Sequence, residues 1–351
     1  MVHLKKMSTD TKKILISVIV PIRNEEKIIL SVLESLKKQI LPNNTSLEIL
    51  LIDGLSDDNT LKIISDFKHQ NLQLNIKILE NKMKYSPHAL NIGIKNSSGN
   101  YICRIDAHTI YPIDYIKNCL ETILLTDADN VGGYIITKKF NDSLQANLVQ
   151  AVSTHKFGVG NSGFRIGRED GYADTVPFGF FKKNIFDKVG TYNELLIRAQ
   201  DYEMNRRISK EGGKIWFSNK IFCSYFNQKS FIDFLKKQLF LEAPYNVYMW
   251  YLAPYTIAIR HGITLFFSLG VIIGLFIKDI PFLSVIYFSV LFLYLILALI
   301  SSLQQSIRFK KPILFPLLPI CFFSFHFIHG IGMIVGLTKV IFRIAPVQKV
   351  V

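Results

Sequence analysis

Alternation of short apolar runs with amphipathic segments over residues 14–107 constrains the fold most strongly. The run ILISVIVPI predicts a buried strand, and apolar residues at helical spacing follow it. The predicted strands are 14–22, 47–53, 76–81 and 100–107, and the predicted helices are 26–39, 58–70 and 86–99. This order indicates an α/β fold, with a Rossmann-like, mostly parallel sheet and flanking helices. Ligands of such sheets bind beyond the carboxyl ends of the strands, where Asp53 and Asp106 fall.

The C-terminal part contains three apolar stretches, at 262–277, 280–303 and 312–337. The second has no charged residue and is long enough to cross a bilayer unaided. The first is shorter and is expected to form a helical hairpin with the second. Prolines are expected to kink or break the start of the third stretch, which therefore predicts either a span or a re-entrant or interfacial segment. The prolines are Pro312, Pro316 and Pro319.

Charge is distributed unevenly along the chain, whose formal net charge is +14. Residues 1–253 hold 33 Lys and Arg against 26 Asp and Glu, whereas residues 254–351 hold 8 against 1. Basic flanks around apolar stretches suit an anionic membrane surface, and basic residues do not cluster with aromatics as in a nucleic-acid groove. We therefore expect a membrane partner and no nucleic acid. The basic residues at 308–311 favour the cytoplasm, which places the N-terminal domain on the cytoplasmic side of the cell membrane (inner or plasma membrane).

Four motifs occur in order with ordinary domain spacing: VIVPIRNEE (18–26), IDGLSDDNT (52–60), RIDAH (104–108) and RAQDYEMNRRI (198–208). Together they resemble the inverting glycosyltransferases of family 2, which have a GT-A fold. Asp-Ala-His at 106–108 and the run FGVGNSGFRIG (157–167) are similar to the branch that builds bacterial exopolysaccharides such as succinoglycan. The resemblance covers about residues 14 to 240.

The resemblance implies a division of the chain into five parts. These are a polar tail at 1–13, a GT-A domain at 14–240, an amphipathic aromatic linker at the membrane interface at 241–261, two to three membrane helices at 262–338, and a basic tail at 339–351.

Residues after the first two strands are the expected nucleotide-sugar site. By the resemblance, Pro21, Arg23 and Glu25 lie in the loop that lines the base and ribose, and Asp53 accepts a hydrogen bond from uracil. A UDP-sugar is therefore the favoured donor. The alternative for Asp53 is a turn or helix-capping aspartate, which is a common use of this residue.

Asp106 and His108 are the candidate metal ligands. Two residues apart on an extended segment, their side chains point to the same side. By the resemblance, the third position of this motif coordinates the cation that bridges the diphosphate, and Asp106 lies near the ribose and the metal. The expected cofactor is Mn²⁺ or Mg²⁺, and imidazole suits Mn²⁺ better. The alternative is an ordinary loop histidine at a strand end.

Asp201 matches the family's catalytic aspartate, and Gln200 replaces the first acid of the usual Glu-Asp pair. A general base is needed because the acceptor hydroxyl loses its proton while it attacks the anomeric carbon. Without a neighbouring acid, the pKa of Asp201 is expected to be less perturbed. The alternative is that Asp201, like Glu203, only complements the dipole at a helix N-terminus.

Candidate phosphate or acceptor contacts are Lys156, Arg165 and Gln238, although each basic residue could equally be a solvated surface charge. The Gln-X-X-Arg-Trp motif of processive synthases is absent, because Gln238 is followed by Leu-Phe-Leu-Glu. Processive synthesis is therefore disfavoured.

The implied function is a membrane-anchored transferase that moves one sugar from a nucleotide-diphosphate sugar to a hydroxyl of a lipid-linked saccharide, in cell-surface or exopolysaccharide synthesis. Two alternatives stay open. A polyprenyl-phosphate sugar synthase would have an acceptor that is already ionised, and a catalytically silent membrane scaffold would only bind the nucleotide sugar.

Overall fold

The computed structural model describes residues 13–160 and 163–346, except the side chain of Arg260. These residues form two compact units. The first unit contains the residues up to Ile136 and Gly167–Tyr225. The second contains Thr137–Ile166 and the residues from Phe226 onward.

A nine-stranded sheet carries the first unit, in the order β3-β2-β1-β4-β8-β6-β9-β5, with β7 paired to β9. The strands are β1 Ile14–Ile22, β2 Thr45–Asp53, β3 Asn75–Glu80, β4 Tyr101–Arg104, β5 Thr109–Ile110, β6 Asn130–Lys138, β7 Gly171–Tyr172, β8 Phe180–Lys182 and β9 Ile215–Phe226. Strands β1 to β4 pair in parallel, as predicted. The other half is antiparallel where β8 joins β4 and β6 and where β9 joins β5 and β7. The sheet is therefore mixed.

Fourteen α-helices occur in the described part of the chain. They are α1 Ile29–Lys37, α2 Thr60–Gln70, α3 Ser86–Asn96, α4 Tyr115–Thr126, α5 Leu144–Ser153, α6 Lys156–Val159, α7 Gly163–Ile166, α8 Ile185–Val189, α9 Gln200–Lys210, α10 Phe231–Lys237, α11 Ala243–Leu252, α12 Ile259–Ile277, α13 Pro281–Arg308 and α14 Leu314–Ile341. A π-helical turn, Gln238–Glu242, joins α10 to α11. Helices α1, α2 and α3 fall within the predicted segments.

Strand β1 lies at the centre of the parallel half and is buried on both faces. Its register pairs Ile22 with Asp53, so both lie at the carboxyl edge of the sheet. Helix α3 packs closely on β1 at Gly93, where an added Cβ would stand 2.5 Å from a methyl carbon of Ile19. The close packing at this position therefore requires glycine.

Helices α13 and α14 of the second unit are long and apolar enough to cross a membrane, and α12 is shorter. Only 6% of the most apolar window of α13 is buried, against 50% for α14. Of the two expected effects of the prolines, a kink or a break, the break does not occur, because α14 is one continuous helix. It begins just after Pro312, and Pro316 falls in its first turn, where the backbone N–H has no intrahelical partner. Pro319 is accommodated inside the helix.

The core of the second unit combines α5 and α10 with the first half of α14. Its buried residues are Leu148, Val149, Ala151, Val152, Phe234, Leu314, Leu318, Cys321, Phe322 and Phe325. The end of α13 is fixed to the same core, since Gln305 donates to the Ala151 carbonyl at 2.5 Å and Arg308 donates to the Thr154 carbonyl at 3.0 Å. The loop after α13 is thereby held beside α5.

Candidate active site

The loops that follow β1 and β2 are joined by hydrogen bonds. The Asn24 amide donates to Ser56 Oγ at 2.9 Å, and the Asp57 amide donates to Asn24 Oδ1 at 3.0 Å. The Glu25 amide donates to Thr60 Oγ1 at 2.7 Å. Two loops at the carboxyl edge of the sheet therefore form one polar surface. Pro21 is the last residue but one of β1, and Arg23 follows the strand and is exposed.

Asp53 ends β2 and is 4% exposed. Its Oδ1 accepts from Ser56 Oγ at 2.6 Å, and the Ser56 amide lies 3.3 Å from Oδ1 and 3.1 Å from Oδ2. This is the geometry of an aspartate that stabilises its own turn. The role of Asp53 in nucleotide binding stays a prediction.

Arg104 joins the two predicted functional aspartates. It ends β4, and its side chain is 5% exposed. Nε and Nη2 donate to Asp106 Oδ1 at 3.2 and 3.1 Å, and Nη1 donates to Asp201 Oδ1. A planar guanidinium can serve two carboxylates at once because its donors point in fixed directions. The structure thus brings Asp106 and Asp201 together, although 95 positions separate them in the sequence.

Aromatic and backbone groups enclose this cluster. The Arg104 guanidinium lies 5.7 Å from the ring centroid of Phe178, and the Phe178 amide donates to the Asp201 carboxylate. The Asp106 amide donates to the hydroxyl of Tyr111 at 3.0 Å. Burial raises the pKa of Tyr111 well above its usual value, so the phenol stays protonated. The cluster is therefore contacted on several sides.

The pKa of Asp201 lies above its usual value. Burial is the main cause, and it outweighs the lowering effect of Arg104, while the negative charge of Asp106 adds to the rise. The Asp201 side chain retains 28% exposure, so it is accessible from solution. The replacement of the adjacent acid by Gln200 therefore leaves the pKa of Asp201 perturbed, because burial dominates it.

His108 stands apart from this cluster. Its side chain is 53% exposed, and Nδ1 lies 3.9 Å from Glu25 Oε1. The ring meets Tyr225 edge-on at 5.9 Å. Within residues 13–160 and 163–346, no three His, Cys, Asp or Glu side chains are grouped to hold a metal ion. However, Oδ2 of Asp106 accepts no hydrogen bond from any described residue, so it fits a cation whose other ligands come from a diphosphate.

The candidate phosphate and acceptor contacts belong to the second unit. Lys156 is exposed at the start of α6, and Arg165 on α7 lies 5.6 Å from the ring centroid of Phe164. Gln238 begins the π-helical turn. Their contacts with a substrate stay predictions.

Arg104 is the residue of this cluster that sequence reasoning left without a role. Arg104 ends β4 and residues 107–108 form a turn, so the predicted alternation along an extended segment does not place Asp106 and His108 on one side. The pairing of Arg104 with Asp201 depends on a contact between β4 and α9, which no local pattern reveals.

Comparisons with known proteins agree on a class. The family model described as "Glycosyl transferase family 2" matches residues 17–190. A Methanococcus voltae protein is 30% identical over 92% of this chain and 97% of its own length, and it is named a dolichyl N-acetyl-alpha-D-glucosaminyl phosphate 3-beta-D-2,3-diacetamido-2,3-dideoxy-beta-D-glucuronosyltransferase. The succinoglycan biosynthesis protein ExoA of Rhizobium meliloti is 28% identical over 60% of this chain and 62% of its own. A mannosyltransferase from Pyrobaculum calidifontis, solved with GDP-Man and Mn²⁺, covers 97% of this chain and 91% of its own at a TM-score of 0.57 and 16% identity.

Proposed function

Because this chain belongs to glycosyltransferase family 2, we propose that it transfers one sugar, with inversion, from a nucleotide-diphosphate sugar to a hydroxyl of a lipid-linked saccharide. Its GT-A fold and its resemblance to the succinoglycan branch agree with the sequence-based predictions. The chain is an enzyme of the glycosyltransferase class, so the silent scaffold is set aside. The donor, the acceptor and the membrane anchor are the parts of the proposal that need testing.

The observation that carries the proposal is the cluster of Arg104, Asp106 and Asp201. A hydroxyl acceptor must lose its proton as it attacks, and a carboxylate with a raised pKa binds that proton better than an ordinary one. Arg104 opposes protonation of the free carboxylate before the acceptor arrives. Asp201 therefore has the environment expected of a general base.

Donor binding is assigned to the carboxyl edge of the sheet. The joined loops after β1 and β2 offer Arg23, Glu25 and Asp53 to the nucleotide, with UDP-sugars favoured. Asp106 and His108 would hold a divalent cation, Mn²⁺ or Mg²⁺, which would offset the charge of the departing diphosphate. The Mn²⁺ in the Pyrobaculum neighbour supports this assignment.

The acceptor and the membrane anchor are proposed from the relatives and from the second unit. The Methanococcus relative is named for transfer to N-acetylglucosaminyl phosphate on dolichol, which is a sugar on a lipid phosphate. Exposed apolar side chains cover α13, which suits contact with lipid rather than water. We therefore assign α13 and α14 to the cell membrane, with the first unit cytoplasmic.

A polyprenyl-phosphate sugar synthase is the alternative reaction. Its acceptor oxygen is already ionised, so it has little need of a base with a raised pKa. The environment of Asp201 favours a hydroxyl acceptor. Product analysis separates the two, because the synthase would glycosylate a polyprenyl phosphate that carries no sugar.

The test is a transfer assay with the full chain purified in detergent. It uses UDP-, GDP- and dTDP-sugars, polyprenyl-linked saccharides, and Mn²⁺ or Mg²⁺, and it measures released nucleotide and the mass of the lipid product. Asp201→Asn should retain donor binding and lose transfer by about 100-fold or more. Asp187→Asn, which changes an exposed acid on α8 in the same way, should transfer normally. Normal transfer by Asp201→Asn would refute the assignment of the base.

A further inference from the structure

The second unit contains an open cavity of about 380 Å³, and none of its lining residues is one that the proposed reaction uses. Strand β6 contributes its end to the wall, α5 one face, β9 its last residue, and the loop after α13 the remainder. The lining residues are Lys138, Lys139, Asn147, Gln150, Phe226, Phe309 and Lys311. Three ammonium groups thus line one cavity without a carboxylate among the lining residues.

The three lysines differ in how they are held. Lys139 pairs with Asp142. Lys311 donates to Asn147 Oδ1 at 3.0 Å, and the Asn147 amide donates in turn to the carbonyls of Asp142 and Ser143. Asn147 therefore orients Lys311.

Lys138 is exposed and forms no ion pair with any described residue. The carboxylate of Asp142 interacts with Lys139 and Lys311 and with no charge of Lys138. The cavity keeps an excess of positive charge, and a phosphate group would complete it. Lysine ammonium groups bind phosphate as strong point charges.

The remaining walls are apolar. Phe226 and Phe309 line the cavity beside the lysines. A free inorganic anion gains nothing from phenylalanine rings, whereas a lipid presents a phosphate joined directly to hydrocarbon. The lining therefore matches a molecule that is anionic at one end and apolar at the other.

The position of the cavity in the fold points to the same ligand. Phe309 and Lys311 lie in the short connection between α13 and α14. If these helices cross the membrane, their connection lies at the membrane–water boundary, where headgroup phosphates are found. This step rests on the membrane anchor of the proposed function.

We propose that this cavity, lined by Lys138, Lys139 and Lys311, binds the phosphate of an anionic lipid headgroup. Asn147 is a positioning residue that holds Lys311, and the two phenylalanines contact the apolar part of the lipid next to the phosphate. A lipid bound in this cavity would contact the loop after α13, helix α5 and the end of β6 at the same time.

The test measures lipid binding by the full chain in an uncharged detergent, without donor or acceptor. The probes are dioctanoyl phosphatidylglycerol, dioctanoyl phosphatidylcholine and glycerol 3-phosphate, and native mass spectrometry gives the bound fraction. The wild-type chain should prefer phosphatidylglycerol to phosphatidylcholine, whose choline cation offsets its phosphate. Glycerol 3-phosphate should bind far more weakly, and equal binding of it would overturn the assignment to a lipid.

Lys138→Gln is the decisive variant because the side chain of this lysine forms no hydrogen bond or ion pair with any described residue. It should weaken phosphatidylglycerol binding about fivefold, as expected for one charge near a membrane surface. Lys310→Gln is the matched control, since it removes the same charge from an exposed residue of the same connection outside the cavity. Equal effects of the two variants on phosphatidylglycerol binding, or no effect of either, would refute the assignment of the lipid to this cavity. The two experiments are independent. A negative lipid-binding result would not change the expected outcome of the Asp201 transfer assay, and a negative transfer result would not change the expected lipid binding.

Discussion

Removal of Arg104 is the sharpest test of the active-site cluster, because this one side chain contacts two carboxylates. Arg104→Met keeps much of the length of the side chain and removes its charge. Breaking a buried ion pair from one side costs about 3–5 kcal/mol of unfolding free energy. Asp106 and Asp201 retain 19% and 28% exposure, so we expect the lower end, about 3 kcal/mol.

The same substitution should shift the pH dependence of transfer. Burial already raises the pKa of Asp201, and Arg104 is the largest influence that opposes the rise. Loss of this opposite charge should therefore raise the pKa of Asp201 further. The base must be ionised to act, so activity should disappear at a higher pH than in the wild-type chain as the pH falls. Arg104→Lys keeps the positive charge and should shift this acidic limb less.

Stability should respond to pH in a defined direction. A carboxyl group whose pKa is higher in the folded than in the unfolded protein binds more protons in the fold, so stability falls as pH rises between the two values. The stability deficit of Arg104→Met should therefore be larger at pH 8 than at pH 5. Unfolding midpoints and pH–rate profiles in detergent measure both effects.

Arg207→Met provides the matched control. Arg207 donates to both oxygens of Glu203, at 2.9 and 2.8 Å, so its removal also leaves a buried carboxylate on α9. It should destabilise the chain by a similar amount without moving the acidic limb. The assigned effect of Arg104 on Asp201 would be refuted if the acidic limb of the pH–rate profile stayed in place in Arg104→Met, or if it moved equally in Arg207→Met.

Three further predictions concern the cation, the sheet and a buried acid. His108→Ala should raise the Mn²⁺ concentration for half-maximal donor binding about tenfold or more, and an unchanged Mn²⁺ titration would reject His108 as a ligand. Gly133→Ala places a Cβ 1.7 Å from the Ile221 carbonyl oxygen and should lower the free energy of unfolding by about 3 kcal/mol or prevent folding, whereas Gly270→Ala, in open space, should not. The pKa of Glu48 lies below its usual value, because hydrogen bonds from Ser17, Ser98 and Lys77 outweigh the raising effect of burial. The ionised Glu48 therefore stabilises the fold, and this stabilisation is lost as the pH falls through the pKa of Glu48 in the folded protein. Glu48→Gln should therefore weaken the acid sensitivity of stability between about pH 5 and 3 while lowering stability at pH 7, and unfolding midpoints across this range check it.

Strands β1 and β2 of the parallel half could be predicted because continuous apolar runs form them. Strands β1 and β2 have nine residues each, and the apolar runs that form them are bounded by turn residues. The antiparallel half contains β5, β7 and β8, of two or three residues. Such lengths show no periodicity, and their pairing depends on contacts distant in the sequence.

The packing partners of residues 137–166 likewise could not be predicted from local sequence patterns. The sequence-based division assigns them to one domain that ends at 240, whereas in the structure they pack with the C-terminal helices. Their apolar residues, such as Leu148 and Val152, join the core around Phe322. Hydrophobic periodicity shows that a helix has an apolar face and leaves the partner of that face undetermined.

Glutamine at position 200, where the family usually has an acid, fits the charge balance of the cluster. Arg104 supplies one positive charge, and Asp106 and Asp201 supply two negative charges within its reach. Gln200 is buried on the same first turn of α9 as Asp201. A carboxylate there would add a third negative charge that Arg104 does not contact, and it would raise the pKa of Asp201 further. An amide avoids that cost, so the departure from the family's usual acid pair is compatible with an ionised base rather than a sign of a lost one.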